Sequence, residues 1–286
     1  MTSPRPLLVV VGGSGFLGTR ICKLASSRNW TVRSLSRHGE PHWPSPTSTS
    51  IATSARPDWA DKVDWRKGDV LNPDTYRDAI KGADAVVHSL GILLEADYKG
   101  VLQGKEPVLK GLMKAFDSAR ATGRNTIREG GKGLSYETMN RDSAVTLAEE
   151  AARTGTVKSF LYVSAIDSFF ALPKRYITTK REAEERISGI AQDAGMRSVY
   201  LRPSFLYDSS RTFTLPLAAA TMVTSTVNNM FMNKLPLLGA AGYKPLAVER
   251  VAASAVKALE DESVSGVVDV EGISRLADKV WREGML

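Results

Sequence analysis

"PLLVVVGGSGFLGTRICKLASSRNWTVRSLSR" runs from Pro6 to Arg37, and its periodicities decide the fold. Leu7 to Val11 are an unbroken apolar run, the pattern of a central parallel strand covered on both faces. Beyond a glycine-rich turn, Phe16, Leu17, Ile21 and Leu24 recur at helical spacing. Trp30 to Leu35 then supply a second strand. This is a βαβ unit, and a right-handed crossover puts both strands in one sheet.

The turn reads GGSGFLG. Without a Cβ, Gly12 permits the tight bend, Gly15 lets a pyrophosphate come close, and Gly18 lets the helix pack on the strand. The stretch Gly12, Gly13, Ser14, Gly15, Phe16, Leu17 and Gly18 is therefore a candidate dinucleotide cradle, with free amides and the positive helix end facing phosphate. The alternative is an ordinary strand-to-helix turn with no ligand. At the end of the second strand, where NAD-preferring chains carry an acidic residue, stand Ser36, Arg37 and His38. Arginine presents a planar fork to a 2′-phosphate that a carboxylate would repel, so NADP is expected ahead of NAD unless Arg37 merely lies exposed on a loop. Asp69 and Val70 follow the expected third strand, where the carboxylate either accepts from the adenine amino group or caps the helix beginning near Pro73. Ser89, Leu90 and Gly91 end the fourth strand and leave room for the cofactor ribose and phosphates.

The rest of the chain continues the alternation. Arg37 to Val63 is rich in Pro, Ser and Thr and reads as an exposed loop. Lys99 to Thr122 is expected to be largely helical, "NTIREGGKG" a loop, and Tyr136 to Thr154 a long helix feeding the strand "VKSFLYVSA". A helix from Ile177 to Ala194, the strand "SVYLRP", and a last helix and strand at "VERVAASAVKALED" and "GVVDVEG" complete the series. No internal repeat is found. The prediction is an α/β protein with a doubly wound parallel sheet: residues 1–204 form the dinucleotide-binding domain, 205–245 an apolar capping region, and 246–286 a helix and strand returning to the core.

With 286 residues, 43% hydrophobic and 24% charged, the chain suits a globular domain with a substantial core. A formal charge of +7 favours anionic partners, but the basic residues are scattered and no zinc-finger or RNA-binding signature appears, so nucleic acid is not expected. No metal site is expected. The single cysteine, Cys22, excludes an intramolecular disulfide and fits a reducing compartment; behind the glycine turn it reads as a small buried residue rather than a reactive thiol. No apolar run spans a bilayer, and a first strand expected near Pro6 leaves no room for a leader within this sequence, the alternative being one that is cleaved or omitted.

In "RYITTKREAEE", Tyr176 precedes Lys180 by one helical turn. They are either a proton-transfer pair or ordinary side chains on a solvated helix. A phenol with an ordinary pKa near 10 is a poor base at neutral pH, and a neighbouring ammonium can lower it.

The order GGSGFLG, GDV, HSLG, YVSA, YITTK and LRPSFLYD resembles the atypical, extended short-chain dehydrogenase/reductase superfamily, of the Rossmann fold, over most of the first 210 or so residues. "GGSGFLGTRIC", "YETMNRDSA" and "PLAVERVA" are similar, within it, to a fungal mitochondrial group associated with the coenzyme Q biosynthetic complex. A more distant likeness is to the dehydrogenase-like accessory subunit of respiratory complex I. The resemblance implies that Tyr176 is the acid/base and that Lys180 binds the nicotinamide ribose. It also implies that Asn140 and Arg141 lie on the helix touching the site, and that Pro203 walls the nicotinamide unless it simply ends a strand. The family's substrate-orienting Ser or Thr falls on Ile166 here; Ser164 is the nearby candidate for the catalytic role, and Ser168 is an alternative.

"FTLPLAAATMVTSTVNNMFMNKLPLLGAAGY" is apolar, with Met222, Met230, Phe231 and Met232 in it. It reads either as helices packed on the core or as a mouth for a hydrophobic quinone intermediate that also meets acidic lipid. Two functions follow as expectations. One is an NADP-dependent oxidoreductase of mitochondrial ubiquinone biosynthesis, peripheral to the matrix side of the inner membrane. The other is a non-catalytic nucleotide-binding subunit of a mitochondrial complex.

Overall fold

The computed structural model describes residues 5–43, 56–91, 127–129, 132–167, 174–208 and 245–285. The expected helix at 99–122, Ser168 and most of the apolar cap, including Met222, Met230, Phe231 and Met232, lie outside the described residues.

Among the described residues a seven-stranded parallel sheet forms the centre, from strands β1 (Leu7–Val11), β2 (Thr31–Ser36), β3 (Val63–Lys67), β4 (Ala85–His88), β7 (Ser159–Val163), β8 (Arg197–Leu201) and β9 (Gly266–Val268). They lie in the order β9-β8-β7-β4-β1-β2-β3. This is the doubly wound arrangement that the alternation predicts. The order reverses between β1 and β4, and in such sheets ligands bind outside the carboxyl ends of the strands at that reversal.

β1 shows why the sheet is covered on both sides. Leu8 and Val10 point into one core layer, with Leu17, Ile21 and Ala25 of α1 (Phe16–Ser27). Val9 and Val11 point into the other, with Ala144, Leu147 and Ala151 of α3 (Ser143–Thr154) and Ala183 and Ile187 of α4 (Lys174–Asp193). The first layer also receives Val251, Ala255 and Leu259 of α5 (Val248–Glu260) and Ile273 and Leu276 of α6 (Val270–Glu283), so the C-terminal segment closes onto the first helix.

Four local expectations change. Within "NTIREGGKG", expected as a loop, β5 (Ile127–Glu129) pairs antiparallel to β6 (Lys132–Leu134). "GVVDVEG" is a strand only to Val268, because Asp269 caps α6, its side chain accepting from the Gly272 amide at 2.7 Å. The helix near Pro73 is broken into a 3₁₀ turn, Pro73–Thr75, and a short α2, Arg77–Ile80. The loop after β2 is organised by a 3₁₀ turn, Asp58–Lys62, and by mutual packing of Trp43, Trp59 and Trp65, whose ring centroids are 5.8 to 6.5 Å apart.

Candidate functional site

The amino end of α1 is built from main chain. Gly12 has φ +85°, and a Cβ there would meet the Leu90 side chain at 2.8 Å. A Cβ on Gly18 would stand 2.2 Å from the Gly12 carbonyl oxygen, and one on Gly13 2.2 Å from Ser34 Oγ. For Gly15 the nearest atom would be the Gly12 oxygen at 3.0 Å, so its outer side faces open space, as close approach of a ligand requires. The turn is locked by Gly12 N–H donating to Leu35 O at 2.8 Å, Gly15 N–H to Gly12 O at 2.8 Å and Thr19 Oγ1 to Gly13 O at 3.0 Å. Gly15 is the N-cap of α1, no side chain caps the helix, and no acid lies in its first turn. The positive end of the helix thus carries no side-chain cap and no carboxylate, a fit for a diphosphate.

Ser89 stands at the reversal of strand order: its amide and hydroxyl both donate to Val11 O, at 2.9 and 2.8 Å. Ser36 is tied into its own turn, Oγ donating to Gly39 O at 2.7 Å. Arg37 is exposed and, among the described residues, makes no hydrogen bond or ion pair. Beside it a cleft of about 590 Å³ is lined by Ser14, His38, Glu40, Pro41 and His42. Glu40 in that cleft went unread in the sequence; it accepts from Trp43 Nε1 at 2.8 Å and pairs with Arg56. The Asp69 carboxylate accepts from the Leu71 amide at 3.1 Å rather than capping the following helix, and Val70 is buried in the core.

The opposite end of the crevice is built from side chains of several elements. Tyr176 and Lys180 both lie buried on α4. A Cβ on Gly91 would stand 3.2 Å from Lys180 Nζ and 3.2 Å from Asn140 Oδ1, so these three residues share one place. Lys180 Nζ donates to Val163 O at 2.9 Å and lies 4.6 Å from the Tyr162 ring centroid. Burial lowers the Lys180 ammonium from its ordinary range to about 7, against the opposing pull of Glu184. Tyr176 packs edge-on to Tyr136 at 5.6 Å, and burial pushes its phenol up to about 12, with Arg181 opposing. The phenol is therefore protonated at neutral pH, above its ordinary value rather than below it.

Asn140 lies in a π-helical turn, Glu137–Asp142, a distortion found often at functional sites. His88, at the end of β4, is wholly buried with Nε2 2.9 Å from Ser143 Oγ, and burial holds its imidazole down to about 3. His88, Ser143, Tyr136 and Tyr162 were not singled out in the sequence; the only signal was the place of His88 at a strand end. Arg141 is spent on Asp142 and Glu182.

Ser164 Oγ accepts from Arg181 Nη1 at 3.0 Å, while other Arg181 N–H groups bond Ala165 O, Asp167 and Glu184. Ile166 packs into the first core layer, its amide donating to Pro203 O at 3.1 Å. Cys22 is buried with its thiol pushed up to about 12, an unreactive state. Among the described residues no group of side chains could hold a metal ion, and no helix is long and apolar enough to cross a membrane.

Comparison with known proteins agrees with this geometry. A family model described as NAD(P)H-binding matches residues 12–227. The chain is 32% identical over 286 residues to MIOREX complex component 2 of Saccharomyces cerevisiae, covering 94% of this chain and 98% of that protein. It is 26% identical over 289 residues to an uncharacterized chloroplastic protein of Arabidopsis thaliana, covering 96% and 78%. Among solved structures, UDP-glucuronic acid 4-epimerase from Bacillus cereus, in complex with NAD, superposes with a TM-score of 0.56 at 14% identity, over 92% of this chain and 76% of that one. The Bordetella bronchiseptica enzyme WbmF, in complex with NAD⁺ and UDP, gives 0.54 at 15% identity, over 97% and 77%. At such identities the two structures speak for the fold.

Proposed function

The chain belongs to the NAD(P)H-binding family, and from that premise we propose that it is an NADP-dependent reductase of the short-chain dehydrogenase type. The observation that carries this reading is the convergence of Lys180 Nζ and Asn140 Oδ1 on Gly91, with Tyr176 one turn before Lys180 on the same buried face. The bound dinucleotide would supply the hydride. The glycine turn would grip the diphosphate through main-chain amides, and Arg37, which makes no ion pair among the described residues, would meet the 2′-phosphate. Lys180 would anchor the ribose on the nicotinamide side. Tyr176, protonated at neutral pH, would give its proton to the substrate oxygen, which fits reduction of a carbonyl or quinone rather than oxidation of an alcohol.

The substrate is a hydrophobic, quinone-related compound of mitochondrial ubiquinone biosynthesis, suited to the apolar sequence of residues 205–245 and met at the matrix face of the inner membrane. The sequence motifs shared with the coenzyme Q-associated group and the apolar, cationic character of the chain support this.

A second reading has its own support. Ser164 is engaged by Arg181 and Ile166 packs, partly buried, against the core, so the strand-end loop spends its first hydroxyl on structure; and the Saccharomyces relative is a component of a complex. On this reading the protein is a nucleotide-binding subunit whose cofactor is structural. Tyr176→Phe separates the two. A reductase loses ubiquinone output by about a hundredfold or more while still binding NADPH; unchanged output with cofactor retained leaves the subunit reading.

A further inference from the structure

Beneath Lys180 the fold holds a set of buried polar side chains that proton transfer itself does not use. Tyr162 of β7 donates its hydroxyl to the Asn140 main-chain oxygen, inside the π-helical turn. The preceding carbonyl, Met139 O, accepts from Ser143 Oγ at 2.8 Å, and that hydroxyl sits 2.9 Å from His88 Nε2. With the Ser143 proton committed to Met139, His88 is assigned as the donor through Nε2–H. Tyr162 thus holds one carbonyl of the π-helical turn directly, and His88 supports the hold on the preceding one through Ser143. Holding them fixes where Asn140 Oδ1 stands against Gly91.

The same Tyr162 ring presents its face to Lys180 Nζ at 4.6 Å. The other charged or titratable groups near Lys180 are Glu184, which favours its charge, and Arg181, which opposes it, both on α4; His88 on β4, itself disfavoured by Lys180; and Tyr176 one turn away. His88 is neutral and Arg181 is repulsive, so Glu184, the Val163 carbonyl and the Tyr162 ring are what favour the ammonium against burial. A desolvated cation over an aromatic face gains enough to move an ionisation equilibrium by about tenfold or more. For a group this near neutrality, that decides whether it is charged.

We propose that Tyr162 is a positioning residue with two separable actions: its hydroxyl fixes the π-turn that presents Asn140, and its ring face keeps Lys180 protonated where the ribose hydroxyls must be met. This rests on the reading of Lys180 as the cofactor anchor. Both actions come from one side chain, which couples the shape of the site to its charge.

The test follows the Lys180 Cε resonance by NMR in lysine-labelled protein, assigned by its loss in Lys180→Met, together with NADPH titrations. Tyr162→Phe keeps the ring and loses the hydroxyl: NADPH binding is expected to weaken about fivefold to tenfold with the Lys180 midpoint in place. Tyr162→Leu loses both, and the midpoint is expected to fall by about half to one pH unit. Should the leucine variant not fold, trifluorophenylalanine at 162 keeps the shape with an electron-poor face and is expected to lower the midpoint relative to Tyr162→Phe. A midpoint unmoved by both ring changes, or NADPH binding unmoved in Tyr162→Phe, overturns the inference. Wild-type NADPH affinity in Lys180→Met instead overturns the anchor reading beneath it.

Discussion

At the amino end of α1 the crevice is walled by main chain, and a Cβ at Gly13 or Gly18 would stand 2.2 Å from an existing atom. At the carboxyl ends of β4 and β7 the site is built from buried side chains: Lys180 from α4, Asn140 from a π-turn, and His88 and Tyr162 from two strands beneath them. The first region is rigid because nothing larger than hydrogen fits. The second holds its shape because buried donors and acceptors find each other, and it carries the titratable groups. Substitutions in the first should therefore act on stability and binding together, whereas in the second the two should come apart.

The largest effect is expected at Gly18. Valine there must push the Gly12 carbonyl away from 2.2 Å, and that oxygen is fixed by the Gly15 amide. Gly18→Val should cost about 3 kcal/mol in thermal or denaturant unfolding and abolish detectable NADPH binding. A variant that melts with the wild type would mean the turn is looser than its geometry implies.

Lys180→Met should show the separation. NADPH binding is expected to weaken at least tenfold, yet the variant should melt above wild type near pH 7, because it removes a buried ammonium that burial disfavours. The pH dependence has a definite sign. With Lys180 lowered to about 7 from an ordinary 10.5, the unfolded chain holds the extra proton between those values, so wild-type stability rises with pH there. The advantage of Lys180→Met should shrink from pH 7 to 9 by on the order of 2 kcal/mol. Parallel stability curves for the two proteins would show that Lys180 is not desolvated.

Arg37 lies on the margin between the regions, a side chain at the rim of the main-chain cradle. Arg37→Ala should weaken NADPH by about tenfold, the value of one charge-assisted contact, and leave NADH unchanged. Glu40, in the neighbouring cleft, supplies the contrast: an equal loss of both dinucleotides in Arg37→Ala would point to ribose recognition by that carboxylate instead.

How much of each region the sequence discloses follows from the same difference. The glycine turn lies within seven consecutive residues, between an apolar run and a helical period, so its geometry is legible from spacing alone. The His88 to Ser143 contact joins residues 55 apart and the Tyr162 to Asn140 contact residues 22 apart, and only the closed sheet brings them together. No local pattern announces them. The π-turn itself, in "ETMNRD", has no periodic signature that distinguishes it from the helix it begins. α6 is a different case: Asp269 followed by Val270, Ile273, Leu276 and Ala277 is a legible cap and apolar face, masked by the β-like "GVVDV" before it.

The smallest effect is expected at Ser164, where the family resemblance and the observed bonding pull apart. The Ser164 hydroxyl accepts one bond from Arg181 at 3.0 Å, and that guanidinium keeps Asp167, Ala165 O and Glu184 without it. Ser164→Ala should therefore cost about 1 kcal/mol of stability or less, read as a small shift in the unfolding midpoint. Turnover of a hydrophobic quinone or carbonyl should stay within about twofold. A hydroxyl that steadied the substrate oxygen in the transition state would cost about a hundredfold or more in kcat on removal. If that larger loss is seen, Arg181 must release Ser164 when substrate arrives, and the side-chain region is less fixed than its resting bonds imply; if not, the third polar group comes from elsewhere in the chain, and the site orients its substrate without the strand-end serine.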